Sequence, residues 1–169
     1  MKTLVVAGNP KPESRTLDAG LRLARLLAGP GAGEPGVIDV ITLGPGLLGW
    51  GDETVRSAVA SAAGTDLLVV ASPTFKATYT GVLKLFLDQF ATGDGLAGVT
   101  AVPLMLGAAP THSLAPELHL KPVLVELGAT CPAPGLYQID KTYADDGTAE
   151  AYSRRWASAL TATATQGRN

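Results

Sequence analysis

Short apolar runs alternate along this chain with longer segments in which apolar residues recur every three or four positions. The runs are continuous rather than alternating with polar residues, a pattern typical of strands covered on both faces of a parallel sheet. The longer segments are typical of helices with one buried face. The apolar runs predict five strands, at residues 3–7, 37–43, 66–71, 100–106 and 136–139.

Helices are predicted between these strands and after the last of them. Asp52 is suited to cap the second helix, because its carboxylate can accept a hydrogen bond from the first turn. In the fourth helix Pro116 fits the first turn, whereas Pro122 predicts a kink. The helices are predicted at residues 16–28, 52–63, 81–90, 113–127 and 149–164, and residues 165–169 are predicted to be frayed.

The alternation of strands and helices predicts an α/β fold. Parallel strands joined by helices cross over in the right-handed sense, which leaves few topologies. Five strands fit the flavodoxin-like sheet order 2-1-3-4-5 better than the six strands of a full dinucleotide-binding fold. We therefore expect residues 1–169 to form a single flavodoxin-like domain, a three-layer sandwich around a five-stranded parallel sheet.

The composition is that of an ordinary globular domain, with 46% apolar and 17% charged residues. A formal net charge of −2 gives no broad attraction to nucleic acid or to an anionic membrane. No apolar run reaches about 18 residues, so no membrane span is expected. The apolar start meets Gly8 and Pro10 too soon for a signal peptide and is interpreted as the first strand. Because no targeting signal is found and Cys131 is the single cysteine, a cytoplasmic location is predicted.

The loop at residues 8–16 follows the first strand and leads into the first helix. Ser14 and Thr16 carry hydroxyl groups there, and the start of the helix offers free N–H groups at the positive end of its dipole. Arg15 and Lys11 add positive charge. A phosphate suits this place, although Ser14 or Thr16 could instead do no more than cap the helix.

A second loop, residues 72–81, leaves the third strand at the carboxyl edge of the sheet, where open α/β sheets bind ligands. Its hydroxyl and aromatic side chains suit a flat ligand with polar edges, so the two loops together indicate a flavin nucleotide. Tyr79 either stacks on that ligand or belongs to the core. A third loop, residues 107–112, has small residues that let the backbone approach a flat ring. His112 either contacts the flavin or a nicotinamide, or is a surface residue beside the next helix.

Three further features carry weaker signals. The literal G-x-G-x-x-G at residues 31–36 follows a helix and precedes a strand, so it is rejected as a dinucleotide fingerprint. His119 follows His112 by about two helical turns, but no further His or Cys accompanies the pair, so no metal site is expected. Trp50 is interpreted as a packed residue in preference to an interface contact.

The stretch at residues 72–88 resembles the central motif of the NADPH-dependent FMN reductases; it reads Ser-Pro-Thr-Phe-Lys-Ala-Thr-Tyr-Thr-Gly-Val-Leu-Lys-Leu-Phe-Leu-Asp. These are flavodoxin-like enzymes that supply reduced flavin to two-component monooxygenases. Residues 106–107, 120–124, 127–129 and 135–137 are also similar, within a likeness that covers residues 1–140. Asn9 and Phe75 depart from the pattern, since many relatives have serine and tyrosine there.

The resemblance implies that residues 14–16 hold the FMN phosphate and that residues 73–76 line the isoalloxazine ring. Gly107 and the backbone beside it are implied to support the ring from the other side. The candidate cofactor-binding residues are Asn9, Ser14, Arg15, Thr16, Pro73, Thr74, Phe75, Lys76, Gly107, Ala108 and His112.

The expected function is NAD(P)H-dependent FMN reduction, with hydride transfer from nicotinamide to flavin and no side chain acting as an essential acid or base. NADPH is expected at the open face of the flavin, near Lys76, Arg15 or His112, and reduced FMN would supply a monooxygenase. The alternatives are a reductase that retains FMN and reduces a quinone or azo compound, a flavodoxin-like electron carrier, and a flavin-free binding module. The helix at residues 81–90 is apolar nearly all round, which predicts a homodimer or a dimer of dimers.

Overall fold

The sheet of this protein is built from five parallel strands, in a computed structural model that describes residues 1–167. The strands are β1 (Thr3–Ala7), β2 (Gly36–Asp39), β3 (Leu67–Pro73), β4 (Thr100–Gly107) and β5 (Leu136–Ile139). Their order is β2-β1-β3-β4-β5, which confirms the predicted topology. Ala7 pairs with Asp39 of β2 on one side and with Ala71 of β3 on the other, so β1 lies between them.

Helices cover both faces of the sheet. They are α1 (Arg15–Ala28), α2 (Glu53–Ala63), α3 (Gly81–Leu87), α4 (Lys121–Glu126) and α5 (Thr148–Gln166). One apolar layer joins Val5 of β1 to Leu23 of α1 and Leu160 of α5. The other joins Val6 of β1 to Phe86 of α3 and also includes residues of α2 and α4. Adjacent residues of one strand therefore face opposite apolar layers, which explains why the apolar runs are continuous.

The second strand is shorter than its apolar run predicts. β2 ends at Asp39, and Val40–Leu48 forms 3-10 turns where the sequence predicted a strand as far as residue 43. The Thr42 hydroxyl donates to the carbonyl oxygen of Asp39 at 2.7 Å and closes the first turn. Gly44, with a φ of 61°, breaks the segment in the middle. The apolar residues after Asp39 therefore reach the core from turns rather than from a strand.

The third predicted helix is also shorter than expected. α3 ends at Leu87 rather than at residue 90. The N–H groups of Gln89 and Phe90 bond to carbonyl oxygens three residues back rather than four, so the chain tightens out of the α-helix at this point.

The predicted helix at residues 113–127 is divided in two. Pro116–Leu120 forms a π-helical turn, with Pro116 at its start as predicted, and α4 follows it directly. Pro122 lies in the first turn of α4. Because proline has no N–H to donate, one regular hydrogen-bond ladder cannot continue through this position, and the change of helix type falls where a kink was predicted.

The last helix is longer than predicted. α5 continues to Gln166, so the fraying predicted for residues 165 and 166 is wrong, and residues 168 and 169 lie outside the described part of the chain. Among residues 1–167, no helix combines the length and the apolar character that crossing a bilayer would require.

Trp50 is not packed in the core. Its side chain is 77% exposed, so the packing interpretation is wrong, and neighbouring Leu48 is exposed as well. Trp50 lies between Gly49 and Gly51, and Gly51 has a φ of 90°. The indole of Trp50 therefore points away from the core, although a large apolar side chain is ordinarily buried.

Candidate functional site

The carboxyl edge of the sheet surrounds a cavity of about 410 Å³, a volume suited to a small ligand such as a nucleotide. All predicted cofactor-binding residues except Lys76 and His112 line it. The lining residues are Asn9, Lys11, Glu13, Ser14, Arg15, Thr16, Pro73, Thr74, Phe75, Leu106, Gly107, Ala108 and Asp140. The three loops selected from the sequence therefore meet at one place.

Side chains shape the loop between β1 and α1. Asn9 accepts a hydrogen bond from the Lys11 N–H at 2.9 Å and donates one to the Thr16 hydroxyl at 2.9 Å. Ser14 caps α1, since its hydroxyl oxygen accepts from the Leu17 N–H at 3.3 Å. Ser14 also lines the cavity, so the capping and the ligand-binding interpretations are compatible. The positive end of the α1 dipole lies at this end of the cavity, where an anion is stabilised.

Arg15 reaches across the cavity to the end of β5. Its guanidinium lies 3.2 Å from the Asp140 carboxylate and donates to the Asp140 carbonyl oxygen at 3.1 Å. The Arg15 side chain is 63% exposed, so this ion pair is screened and contributes little to stability. Arg15 therefore keeps N–H groups that can meet an anionic ligand. Asp140 was not among the predicted residues, although it directly follows a predicted strand at the same edge of the sheet.

Thr80 ties the loops around β1 and β3 together. Its hydroxyl donates to the Gly8 carbonyl oxygen at 2.6 Å and accepts from the Leu83 N–H at 3.1 Å, which caps α3. The Thr80 N–H in turn donates to the Ser72 hydroxyl at 3.1 Å. Ser72 and Thr80 are both buried. One buried polar network thus fixes the relative position of the loops that form two walls of the cavity.

The loop after β3 ends in a tight turn. Phe75 and Thr78 exchange backbone hydrogen bonds of 2.8 and 3.2 Å, and between them Lys76 and Ala77 have φ values of 52° and 69°. Two successive positive φ angles are the geometry of a type I′ turn, which usually contains Asn or Gly. Phe75, half exposed, lines the cavity, whereas Lys76 lies at the tip of the turn and does not.

Gly107 allows a close approach at the end of β4. A Cβ atom at this position would lie 1.7 Å from the Tyr137 hydroxyl oxygen, so a side chain fits only if Tyr137 moves. Tyr137 donates from that hydroxyl to the Ala109 carbonyl oxygen at 2.7 Å, which holds the loop after β4 in place. The wall of the cavity at the end of β4 is therefore a backbone surface supported by a tyrosine from β5.

Two buried polar atoms of cavity residues lack a hydrogen-bond partner within residues 1–167, Thr74 Oγ1 and Asp140 Oδ1. Thr74 N–H donates to the Leu106 carbonyl oxygen at 2.6 Å, and Asp140 N–H donates to that of Gly107 at 2.9 Å. The two residues thus flank the end of β4. Buried polar atoms are ordinarily paired, so a polar ligand group that reached either atom would be stabilised there.

His112 lies outside this cavity. It forms a 3-10 turn with Pro110 and lines a separate depression of about 280 Å³ that also contains Ala77 and His119. Both histidines thus lie along one depression. Within residues 1–167, no three His, Cys, Asp or Glu side chains are grouped so that they could hold a metal ion.

Tyr79 and Cys131 pack against the core rather than line the cavity. Tyr79 contacts the apolar layer that includes α3, and burial raises the pKa of its phenol. Burial also raises the pKa of the Cys131 thiol to about 11, which leaves it protonated at neutral pH. These properties agree with the core interpretation of Tyr79 and with an inert Cys131.

A larger depression, about 530 Å³, lies beside the glycine-rich segment after α1. Arg25 and Glu34, which line it, already pair with each other at 2.9 Å. The segment precedes β2, so this depression is remote from the carboxyl edge at which such sheets bind ligands. We therefore assign the candidate site to the smaller cavity.

A parallel sheet in this order, with the start of α1 and two further loops around one cavity at its carboxyl edge, defines a flavodoxin-like fold with a candidate ligand site at the usual place. The sequence profile of the NADPH-dependent FMN reductases matches residues 1–144, and the chain belongs to this family.

The chain is similar to two proteins named FMN reductase (NADPH). It is 39% identical over 80 residues to the protein of Escherichia coli K12, a match that covers 47% of this chain and 41% of that protein. It is 36% identical over 79 residues to the protein of Pseudomonas putida, covering 47% of this chain and 40% of that protein. The matched segment thus spans less than half the length of these curated relatives.

The fold is similar to that of a crystal structure of an NADH:FMN oxidoreductase in its apo form. The TM-score is 0.83 at 27% sequence identity, and the alignment covers 99% of this chain and 90% of that one. The likeness therefore includes α5 as well as the sheet.

Proposed function

We propose that this chain is an NAD(P)H-dependent FMN reductase. The observation that carries the proposal is a cavity at the carboxyl edge of the sheet that gathers residues from three separate loops and from the end of β5. Membership of the NADPH-dependent FMN reductase family supports it, and so does the likeness to an NADH:FMN oxidoreductase.

In this proposal the cavity binds FMN along its length. Ser14, Arg15 and the start of α1 receive the phosphate, because the helix dipole and the guanidinium both favour an anion there. Thr74 Oγ1 and Asp140 Oδ1 pair with hydroxyls of the ribityl chain, which satisfies both buried atoms. The flavin ring lies between the loops after β3 and β4.

The protein contributes binding and orientation, and FMN when bound supplies the hydride chemistry. Within residues 1–167, the ionisable side chains that line the cavity are Lys11, Glu13, Arg15 and Asp140. Arg15 and Asp140 pair with each other, and Lys11 and Glu13 are exposed at the surface. We therefore propose that no side chain of this cavity acts as an essential acid or base, and that the loops hold the ring with one face open to NAD(P)H.

Replacing Ser14 and Arg15 together with alanine is expected to weaken FMN binding about tenfold, because the phosphate loses a charge-assisted partner. Riboflavin has no phosphate, so its Kd should stay within about twofold. Both values are measured by quenching of flavin fluorescence. The matched control replaces Arg56 and Ser57 on α2, since the Arg56 side chain is also 63% exposed. Equal losses for FMN and riboflavin would place the phosphate elsewhere.

We also propose a homodimer, or a dimer of dimers, formed through α3 and α4. Leu83, Phe86 and Leu87 of α3 are buried within the chain, so less of this helix is free than its sequence predicted. The apolar surface that stays available is formed by the half-buried Val82 and Leu85 of α3 and by Pro122 and Val123 beside the exposed Val125. Sedimentation equilibrium at micromolar concentration should give a dimer or tetramer mass, and a monomer mass would contradict the proposal.

The monooxygenase partner and the cytoplasmic location stay predictions from the sequence. Whether FMN is a released substrate or a retained cofactor follows from its affinity. A Kd in the micromolar range would suit release to a second enzyme, and a Kd far below the protein concentration would suit direct reduction of a quinone or azo compound.

A further inference from the structure

Asp39 is the last residue of β2, and its carboxylate does not line the cavity. The residue is only 9% exposed. An aspartate directly before a helical turn ordinarily caps it, but the Asp39 side chain makes no capping hydrogen bond. Its Oδ2 instead accepts from the Glu13 N–H at 2.9 Å, a contact between residues 26 positions apart.

Glu13 is held in an unusual conformation by this contact. Its φ is 49°, in the left-handed region that a residue with a side chain rarely adopts. The next residue is Ser14, the cap of α1, which has an extended backbone with φ −80° and ψ 163°. Glu13 and Ser14 both line the cavity. The backbone at Glu13 therefore sets the direction from which the chain enters α1 and presents the Ser14 hydroxyl.

Little else holds this loop. Within the described chain, residues 9–13 take part in no backbone-to-backbone hydrogen bond. Asn9 ties its own end of the loop to Lys11 and Thr16. At the other end, the Glu13 N–H donates to the Asp39 carboxylate. The two ends of the loop are thus fixed by two different side chains, one from within the loop and one from β2.

Burial of the Asp39 carboxylate is unfavourable for folding. Its Oδ1 is buried without a hydrogen-bond partner among residues 1–167, and burial raises the pKa of the group despite the opposing hydrogen bond from Glu13. An isolated buried carboxylate oxygen is unfavourable. Each unpaired buried group in a folded protein calls for a structural explanation, and here the neighbouring structure is the part of the cavity lined by Glu13 and Ser14.

We infer that Asp39 is a positioning residue for phosphate binding: by holding Glu13 in the left-handed conformation, it orients Ser14 and the start of α1 toward the phosphate of a flavin nucleotide. The inference rests on the proposed function, because it uses the phosphate end of the same cavity. Asp39 itself touches no ligand in this account, and its effect passes entirely through the backbone of Glu13.

The test compares FMN with riboflavin, which differ by the phosphate alone. Asp39→Ala removes the acceptor and should weaken FMN binding about tenfold while the riboflavin Kd changes less than about twofold. Asp39→Asn keeps an oxygen acceptor of the same reach and should stay within about threefold of the unmodified chain for FMN. Flavin fluorescence quenching gives each Kd, and circular dichroism shows that each variant is folded.

A second substitution distinguishes positioning from a general loss of structure. Glycine adopts the left-handed conformation at no steric cost, so Glu13→Gly in the Asp39→Ala background should recover most of the lost FMN affinity. A variant weakened merely by loosened packing would not be rescued by glycine.

Three results would overturn the inference. They are an unchanged FMN Kd in Asp39→Ala, equal losses for FMN and riboflavin in that variant, and no recovery with Glu13→Gly. The failure of the proposed function has a different signature, since the unmodified chain would then bind FMN no better than riboflavin or would bind neither. A chain that prefers FMN, but keeps that preference in Asp39→Ala, refutes this inference and leaves the proposed function intact.

Discussion

Replacing Thr80 with valine is expected to lower the free energy of unfolding by about 2–4 kcal/mol. Valine has nearly the shape of threonine, but it leaves the buried Gly8 carbonyl and the Leu83 N–H without the partners that they have at 2.6 and 3.1 Å. It also removes the cap of α3. Because the same hydroxyl joins the loops after β1 and β3, FMN affinity should fall together with stability.

Denaturant unfolding followed by circular dichroism measures this loss. The matched control is Thr54→Val at the exposed start of α2, which should change the free energy of unfolding by less than about 0.5 kcal/mol. If Thr80→Val and Thr54→Val have similar stabilities, the buried network does not join the two loops in the way that the hydrogen bonds indicate.

Replacing Gly107 with alanine should have the second large effect. The new Cβ would lie 1.7 Å from the Tyr137 hydroxyl oxygen, so the tyrosine must move and lose its hydrogen bond to Ala109. Overpacking of this kind costs about 1–3 kcal/mol of stability. Because Gly107 lines the cavity, we expect the FMN Kd to rise by about tenfold or more.

Gly33→Ala is the control for this change. Gly33 has no atom within 4 Å of an added Cβ and no positive φ, so alanine fits there without strain. Its variant should bind FMN as the unmodified chain does. If both variants lose FMN affinity tenfold, the close approach of Tyr137 has no special role. The same conclusion follows if neither variant loses affinity.

The position of the site follows from the sequence because topology fixes it. Buried strands are recognisable as continuous apolar runs, and parallel strands bring their carboxyl ends to one edge. The loops that begin at Gly8, Ser72 and Gly107 were selected for their place at this edge and for their residue types, and they meet around one cavity. Asp140 follows β5 at the same edge, so the same rule, applied once more, would have found it.

Contacts between distant residues are what the sequence does not reveal. Arg15 meets Asp140 across 125 positions, and Glu13 meets Asp39 across 26. No local pattern marks either pair. The apolar run after Asp39 was predicted to continue the strand. Its sequence cannot distinguish a strand from a series of turns, because either structure can bury Val40.

Local backbone geometry accounts for the two predicted residues that lie outside the cavity. Lys76 lies in a turn with positive φ that lacks the Asn-Gly signal by which such turns are recognised. His112 lies in a 3-10 turn that begins at Pro110, which places it outside the cavity. In both cases the sequence predicts the loop correctly but does not predict where one side chain of that loop lies.

An absorbance titration of the purified protein with FMN, followed by anaerobic addition of NADPH, tests the proposed activity most directly. The account predicts that FMN binds and that the flavin band near about 450 nm bleaches rapidly when the protein is present in catalytic amounts. Binding without bleaching would contradict the reductase and leave a flavodoxin-like electron carrier. Absence of FMN binding would show that the cavity at the carboxyl edge has another ligand.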